Sequence, residues 1–294
     1  MDDGAPMVTE AMVRAMLPER PKNSHKGMFG RLLLCVGSKR YTGAALLSSA
    51  AALRVGAGIV ETAVPGSVKP AFSAMPEVCC TAVNNGDAWD SAANQCAIPL
   101  LAGKSALGFG CGMDVAEDAS LLAAALDAGL PLVIDADGLN LLSRNRTLFA
   151  RLHDKVVLTP HPGEMSRLLD CPVSSITADP GKVATQAAKE WNCVVLLKGA
   201  PSCIASSERL LWNDTGNPGL SKGGSGDVLT GLISGLLCQG LAPFDAACAG
   251  AYLLGVSADH ALALLGTRML MARDVIQVVQ ETCGLLSRPN SSET

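Results

Sequence analysis

Short, continuously apolar runs alternate along this chain with longer segments whose apolar residues recur at helical spacing. Arg31 to Val36, Ile59 to Val64, Ala106 to Gly108, Leu132 to Ile134, Lys155 to Leu158 and Cys193 to Leu197 read as strands. Residues 8–17, 43–57, 117–128, 183–190, 245–265 and 272–286, and a stretch from Val228 onward, predict helices. Strands that are apolar along their whole length must be covered on both faces, which a mostly parallel sheet between helices achieves. The expected fold is therefore α/β, a three-layer αβα arrangement. No composition break or linker divides the 294 residues, so one domain is expected over 1–294, with a loose polar tail from Ser287.

The densest chemical signal lies where glycines give way to a helix. Gly216, Gly219, Gly223, Gly224 and Gly226 precede Val228, Leu229, Leu232, Ile233, Leu236 and Leu237, which share one helical face. The first N–H groups of a helix lack intrahelical partners and carry the positive end of the dipole, a setting that suits phosphate. Glycine lets backbone approach such an anion closely. Asp227 at this junction can be a helix cap, a role for which Ser225 competes. A carboxylate beside an anion site otherwise repels its ligand, so the favoured reading is a base for a hydroxyl near the phosphate.

Net charge is −4, which argues against a nucleic-acid or anionic-membrane surface. No run is long and apolar enough for a membrane span, and the start of the chain, with Asp2, Asp3, Glu10 and Arg14, does not read as a signal peptide. Eleven scattered cysteines without a CxxC pair predict reduced thiols in a cytoplasmic protein, with no zinc site. Cys79-Cys80 is read as packing.

Polar and glycine residues gather just after the strands, where ligands bind in open α/β sheets. Gly108-Phe109-Gly110-Cys111-Gly112 lacks the spacing of a dinucleotide fingerprint and is equally a tight turn. Asp135 and Asp137 flank a strand end, where one can cap the next helix and the other hold a metal-bound water; capping is the favoured reading. His161 lies between Pro160 and Pro162, which restrict its backbone, so a ligand contact and a structural role both stand. Lys198-Gly199-Ala200 follows a strand and can be a turn with a surface lysine; in a shared site its lysine and backbone can hold a phosphate or an adenosine. His25, His153 and His260 have no such setting. A P-loop and a nucleophile elbow are both absent.

With these segments in place, the chain resembles the ADP/ATP-dependent NAD(P)H-hydrate dehydratase family, which has the ribokinase-like fold. The resemblance runs from Leu17 to Asp259. It is carried by His25-Lys26-Gly27, Val36-Gly37-Ser38, Gly43-Ala44-Ala45, Arg54 to Gly58, Asp135-Ala136-Asp137, Leu158 to Glu164, Leu197 to Ala200 and Gly223 to Asp227. It implies dehydration of hydrated NADH and NADPH driven by ADP or ATP with Mg2+. Lys198, Gly199, Ala200, Pro201, Ser202 and Gly226 would contact the nucleotide. Ala45, Gly110, His161 and Asp227 would contact the hydrated cofactor, and Asp227 would be the catalytic residue. The resemblance further implies a homotetramer and an NAD(P)H-hydrate epimerase on a separate chain. Phe109 stands where the family usually has Pro, and Leu254 where a histidine is common. A small-alcohol kinase of the same fold would keep Asp227 and the glycines without needing the Pro-His-Pro segment. A regulator without catalysis would be expected to lack Asp227.

Overall fold

A computed structural model describes residues 6–115, 117–266 and 268–286, so the expected tail lies outside the described residues. The strands are β1 Arg31–Cys35, β2 Ile59–Val64, β3 Cys79–Ala82, β4 Ala106–Phe109, β5 Leu132–Ile134, β6 Val156–Leu158, β7 Val194–Leu197, β8 Ser202–Ala205 and β9 Leu210–Asn213. The helices are α1 Glu10–Met16, α2 Thr42–Val55, α3 Ser91–Ala97, α4 Ser120–Asp127, α5 Asp137–Arg144, α6 Pro162–Leu169, α7 Val173–Ala178, α8 Pro180–Glu190, α9 Ser225–Cys238, α10 Pro243–Leu265 and α11 Ala272–Leu286.

All nine strands form one sheet in the order β3-β2-β1-β4-β5-β6-β7-β8-β9. Pairing is parallel from β3 to β7 and antiparallel at β7-β8-β9. Period-two alternation sends Leu32, Leu34, Val60, Val133 and Val157 into one core with α2, α9, α10 and α11. Leu33, Cys35, Leu107, Ile134 and Leu158 enter the other, with α3, α4, α5, α6 and α8. This is the expected three-layer arrangement. Six strands and the long helices fall close to their sequence positions. The hairpin β8–β9 and the edge strand β3 do not come from the apolar pattern. Cys79 is exposed on that edge strand, which corrects its reading as a packing residue.

Two features of this topology place a site. The chain leaves β1 for β2 and β3 on one side and returns at β4 on the other, so a switch point opens beyond the ends of β1 and β4. Crevices at such points receive ligands. Second, α2 and α9 run side by side in the same direction. A Cβ on Gly231 would lie 2.8 Å from Ala51 Cβ, and one on Gly235 would lie 2.5 Å from Val55 Cγ1. Only glycine at those two positions lets the helix axes approach this closely, and their N-termini then open together over the strand ends.

Candidate active site

Helix α9 begins at Ser225 rather than at Val228, so Gly226 and Asp227 lie inside its first turn. Its N-cap is Gly224, at φ 101°, and no side chain caps the helix. Neither Asp227 nor Ser225 therefore serves as a cap. The bland reading of Asp227 is removed by geometry, and its carboxylate is left for another task.

Five segments from different strand ends converge here. Lys198, after β7, places Nζ 2.8 Å from Asp135 Oδ1, at the end of β5, and 3.6 Å from Glu164 Oε2 in α6. Asp135 Oδ2 accepts from Thr230 Oγ1 of α9 at 3.1 Å and from Cys111 Sγ, beyond β4, at 3.8 Å. A Cβ on Gly226 would lie 3.3 Å from that same Oδ2 and 3.8 Å from Lys198 Nζ. Asp135 is 2% exposed, so it belongs to the floor of the crevice rather than to a cap. The N-cap of α5 is Ala136, without a side-chain bond, while Asp137 accepts from the Asp114 N–H at 2.9 Å. The capping reading of this pair fails for both aspartates.

His161 has a definite structural task. Its Nδ1 accepts from the N–H groups of Gly163 (3.0 Å) and Glu164 (3.2 Å), and Glu164 Oε2 accepts from the His161 N–H at 2.8 Å. This is a capping box with histidine as the cap. Half of the imidazole remains exposed at the strand end, with Nε2 3.4 Å from Glu164 Oε1. Gly110 takes φ 115°, and a Cβ there would lie 2.6 Å from the Gly138 nitrogen, so only glycine closes this turn. Ala45 is fully buried, 2.7 Å from where a Cβ on Gly37 would sit. It is a spacer under the β1 turn and presents no side-chain surface. Gly199 and Ala200 are exposed, and Ser202 Oγ ties the Lys198–Ser202 turn by accepting from Gly199 N and donating to Gly199 O. Phe109, where the family usually has Pro, turns into the core that holds Leu33, Leu107 and Ile134, against Gly138 and not toward the crevice.

The electrostatics follow from this crowding. Burial pushes the Asp227 carboxyl up, the Asp135 charge adds to that, and Cys111 and Lys198 pull it back, leaving it at about 6. Burial works against the Lys198 ammonium, yet Asp135 and Glu164 hold it up to about 12. Burial, with Asp135 and Asp227, pushes the Cys111 thiol well above its usual range. Among the described residues no cluster of three or more His, Cys, Asp or Glu side chains is placed to hold a metal ion. Asp135 and Glu164 are already shared by one ammonium. The described residues thus offer Mg2+ no ready cage, and their donor set would suit an ion held chiefly by the phosphates of a bound nucleotide.

Sequence reasoning did not find Glu164, Thr230 or Cys111 as site residues. Glu164 stands three residues after His161, the spacing of a capping box, and Thr230 lies one helical turn beyond Asp227. Both signals were readable once a helix start was placed correctly.

A nine-stranded, mostly parallel sheet with a glycine-lined helix terminus and a half-buried carboxylate, Asp227, beyond its strand ends is a ribokinase-like arrangement. A ribokinase-like superfamily protein from Enterococcus faecalis V583 matches the fold with a TM-score of 0.83 at 24% identity, over 98% of this chain and 99% of that one. The model of the NAD(P)H-hydrate dehydratase family matches residues 32–281, and the chain belongs to that family. The bifunctional NAD(P)H-hydrate repair enzyme Nnr of Moorella thermoacetica is 40% identical over 92% of this chain and 52% of its own length. The chain thus spans about half the length of the bifunctional relatives it matches. The ADP-dependent (S)-NAD(P)H-hydrate dehydratase of Bacillus subtilis is 36% identical, covering 86% of this chain and 89% of that protein. A crystal structure of the ADP/ATP-dependent NAD(P)H-hydrate dehydratase from Bacillus subtilis, co-crystallised with ATP/Mg2+, gives a TM-score of 0.81 at 31% identity, over 97% and 99% of the two chains. These likenesses do not favour the small-alcohol kinase.

Proposed function

We propose that this chain is an ADP- or ATP-dependent (S)-NAD(P)H-hydrate dehydratase that returns hydrated NADH and NADPH to the reduced cofactors. One observation carries the reading: Asp227, uncapped and raised to about 6, sits in the first turn of a helix whose glycine-lined N-terminus faces Lys198. A carboxylate of that proton affinity can accept a hydroxyl proton near neutral pH. The first-turn N–H groups of α9 can receive the transferring phosphoryl group, which needs chiefly charge stabilisation and alignment.

In this mechanism Asp227 takes the proton from the ring hydroxyl as its oxygen bonds the terminal phosphorus of the nucleotide. The phosphorus–oxygen bond to the leaving phosphate breaks, giving AMP from ADP. Hydroxide, a poor leaving group, has become phosphate ester. The ring carbon–oxygen bond then breaks, inorganic phosphate departs, a ring proton is lost, and the dihydronicotinamide double bond is restored. Lys198, Gly199, Ala200, Pro201, Ser202 and Gly226 are proposed to hold the nucleotide, which brings Mg2+ with it. Gly110, His161 and Asp227 are proposed to face the hydrated cofactor, with Ala45 setting the depth of the β1 turn beneath it.

The single sheet supports reading the chain as one domain. Among the described residues no helix is long and apolar enough to cross a membrane. The family resemblance extends the reading to a cytoplasmic homotetramer that works beside a separate NAD(P)H-hydrate epimerase. The direct test mixes the protein with hydrated NADH and either ADP or ATP and follows the absorbance of NADH. Its return with a nucleotide, and not without one, supports the reading. Phosphorylation of a small alcohol with no NADH recovered would replace it with the kinase.

A further inference from the structure

One positive charge serves two buried carboxylates beneath Asp227. Lys198 Nζ lies 2.8 Å from Asp135 Oδ1 and 3.6 Å from Glu164 Oε2, and the two acidic side chains are only 2% and 7% exposed. With both acids ionised, the trio keeps a surplus of negative charge out of water. The second oxygen of Asp135 is turned toward the start of α9, where Thr230 Oγ1, in the second turn, donates to it at 3.1 Å and Gly226, in the first, brings its backbone alongside. The Cys111 thiol donates to the same oxygen at 3.8 Å. Asp135 is thereby fixed from three elements, next to the residue read above as the base.

We propose that Asp135 is a positioning residue of the reaction, whose locked carboxylate sets how tightly Asp227 holds a proton. The inference rests on the reading of Asp227 as the base. A like charge nearby disfavours a second negative charge and so raises the proton affinity of the neighbouring acid. An ordinary carboxylate is a weak base toward an alcohol, and efficiency improves as its proton affinity nears the working pH. The charged and titratable groups acting on Asp227 are Asp135 from β5, Lys198 from β7 and Cys111 after β4. Among the described residues, α2, α10 and α11, which pack on α9, add none. Glu164, from α6, acts through its share of Lys198. Asp135 raises the affinity and Lys198 lowers it, so the two residues pull Asp227 in opposite directions.

A buried ion pair that only holds the fold makes a different prediction: its loss lowers stability and leaves the Asp227 midpoint where it was. The deciding experiment titrates Asp227 by carboxyl-carbon NMR in the nucleotide-free protein, for the wild type, Asp135→Asn and Lys198→Met. The expected result is a midpoint lowered by about one pH unit in Asp135→Asn, the size that a close charge produces, and raised in Lys198→Met. An unmoved midpoint in Asp135→Asn, or a shift in the same direction in both variants, overturns the proposal. If Asp135→Asn does not fold, Thr230→Val, which frees the Asp135 oxygen turned toward α9, takes its place, and an unmoved midpoint there overturns the proposal. The titration needs no turnover. If the midpoints move as expected while an Asp227→Asn enzyme stays active, the base assignment fails and the coupling stands.

Discussion

Lys198 and Asp135 meet at 2.8 Å across β6, from the ends of two strands that do not pair with each other. The contact ties the Lys198–Ser202 turn to the floor of the crevice. Removing one partner of a buried ion pair strands the other, at a cost of about 3–5 kcal/mol when both are fully dry. Lys198 keeps some solvent contact, so Lys198→Ala is expected to lose about 2–3 kcal/mol. Asp135→Ala combined with Lys198→Ala should cost less than the sum of the two single changes. Chemical denaturation of the three variants checks this, and strict additivity would deny the coupling.

His161 has one structural task and one proposed task, and two substitutions separate them. His161→Ala loses the cap of α6 and should cost about 0.5–2 kcal/mol. Asparagine is a favoured cap, so His161→Asn should stay close to wild-type stability while removing the imidazole. If the exposed half of the ring contacts the hydrated cofactor, the Asn variant raises KM for that substrate several-fold, as loss of one hydrogen bond worth about 0.5–1.5 kcal/mol requires. ADP affinity should remain unchanged. A wild-type KM in the stable Asn variant leaves His161 as a cap alone.

The strands that were legible are those buried on both faces, such as Leu132–Ile134, because an unbroken apolar run has no other comfortable place. Edge strand β3 reads Cys-Cys-Thr-Ala with its ends exposed, so it carries no such run. Helices α5 and α6 span only two turns each and start directly on the strand ends. Their polar first turns, Asp137 and Pro162 to Glu164, look like loop, and only α6 carries a capping box that marks its start. Asp227, His161 and Lys198 were visible as unusual residues in unusual places. The grouping of Asp135 with Lys198 and Thr230 was not, since its partners lie 63 and 95 residues away along the chain. No local pattern encodes that meeting.

Gly226 offers a probe of the helix terminus. A Cβ there would sit 3.3 Å from Asp135 Oδ2, a tight approach to a carboxylate held by Lys198 and Thr230, so thermal unfolding of the variant is measured beside binding. Gly226→Val places a branched group over the helix terminus where a phosphate is proposed to settle. ADP affinity by calorimetry should fall at least about tenfold, or roughly 1.4 kcal/mol. Unchanged affinity in a folded variant would move the nucleotide elsewhere.

The Asp227 carboxyl has its ordinary value of 3.8 raised to about 6, chiefly by burial. The folded state therefore binds this proton more tightly than the unfolded chain does. Keeping Asp227 charged costs stability, and the cost grows as pH rises from about 4 to 6 and is complete above that. Asp227→Asn removes it. The variant should melt higher than wild type at pH 8, by an equivalent of at most about 3 kcal/mol, with the gap closing below pH 4. A variant less stable at pH 8 would contradict the strained setting of this carboxylate.

Turnover of hydrated NADH by Asp227→Asn, measured with ADP saturating and at a pH above 6, reaches the base assignment itself. The amide keeps the shape of the side chain and cannot accept the hydroxyl proton. The expected outcome is an about 10²–10⁴-fold fall in kcat with ADP binding retained, alongside a wild-type rate that declines below pH 6 as Asp227 takes up its proton. A variant that keeps more than about a tenth of the wild-type rate would contradict the account, because a general base supplies more than that.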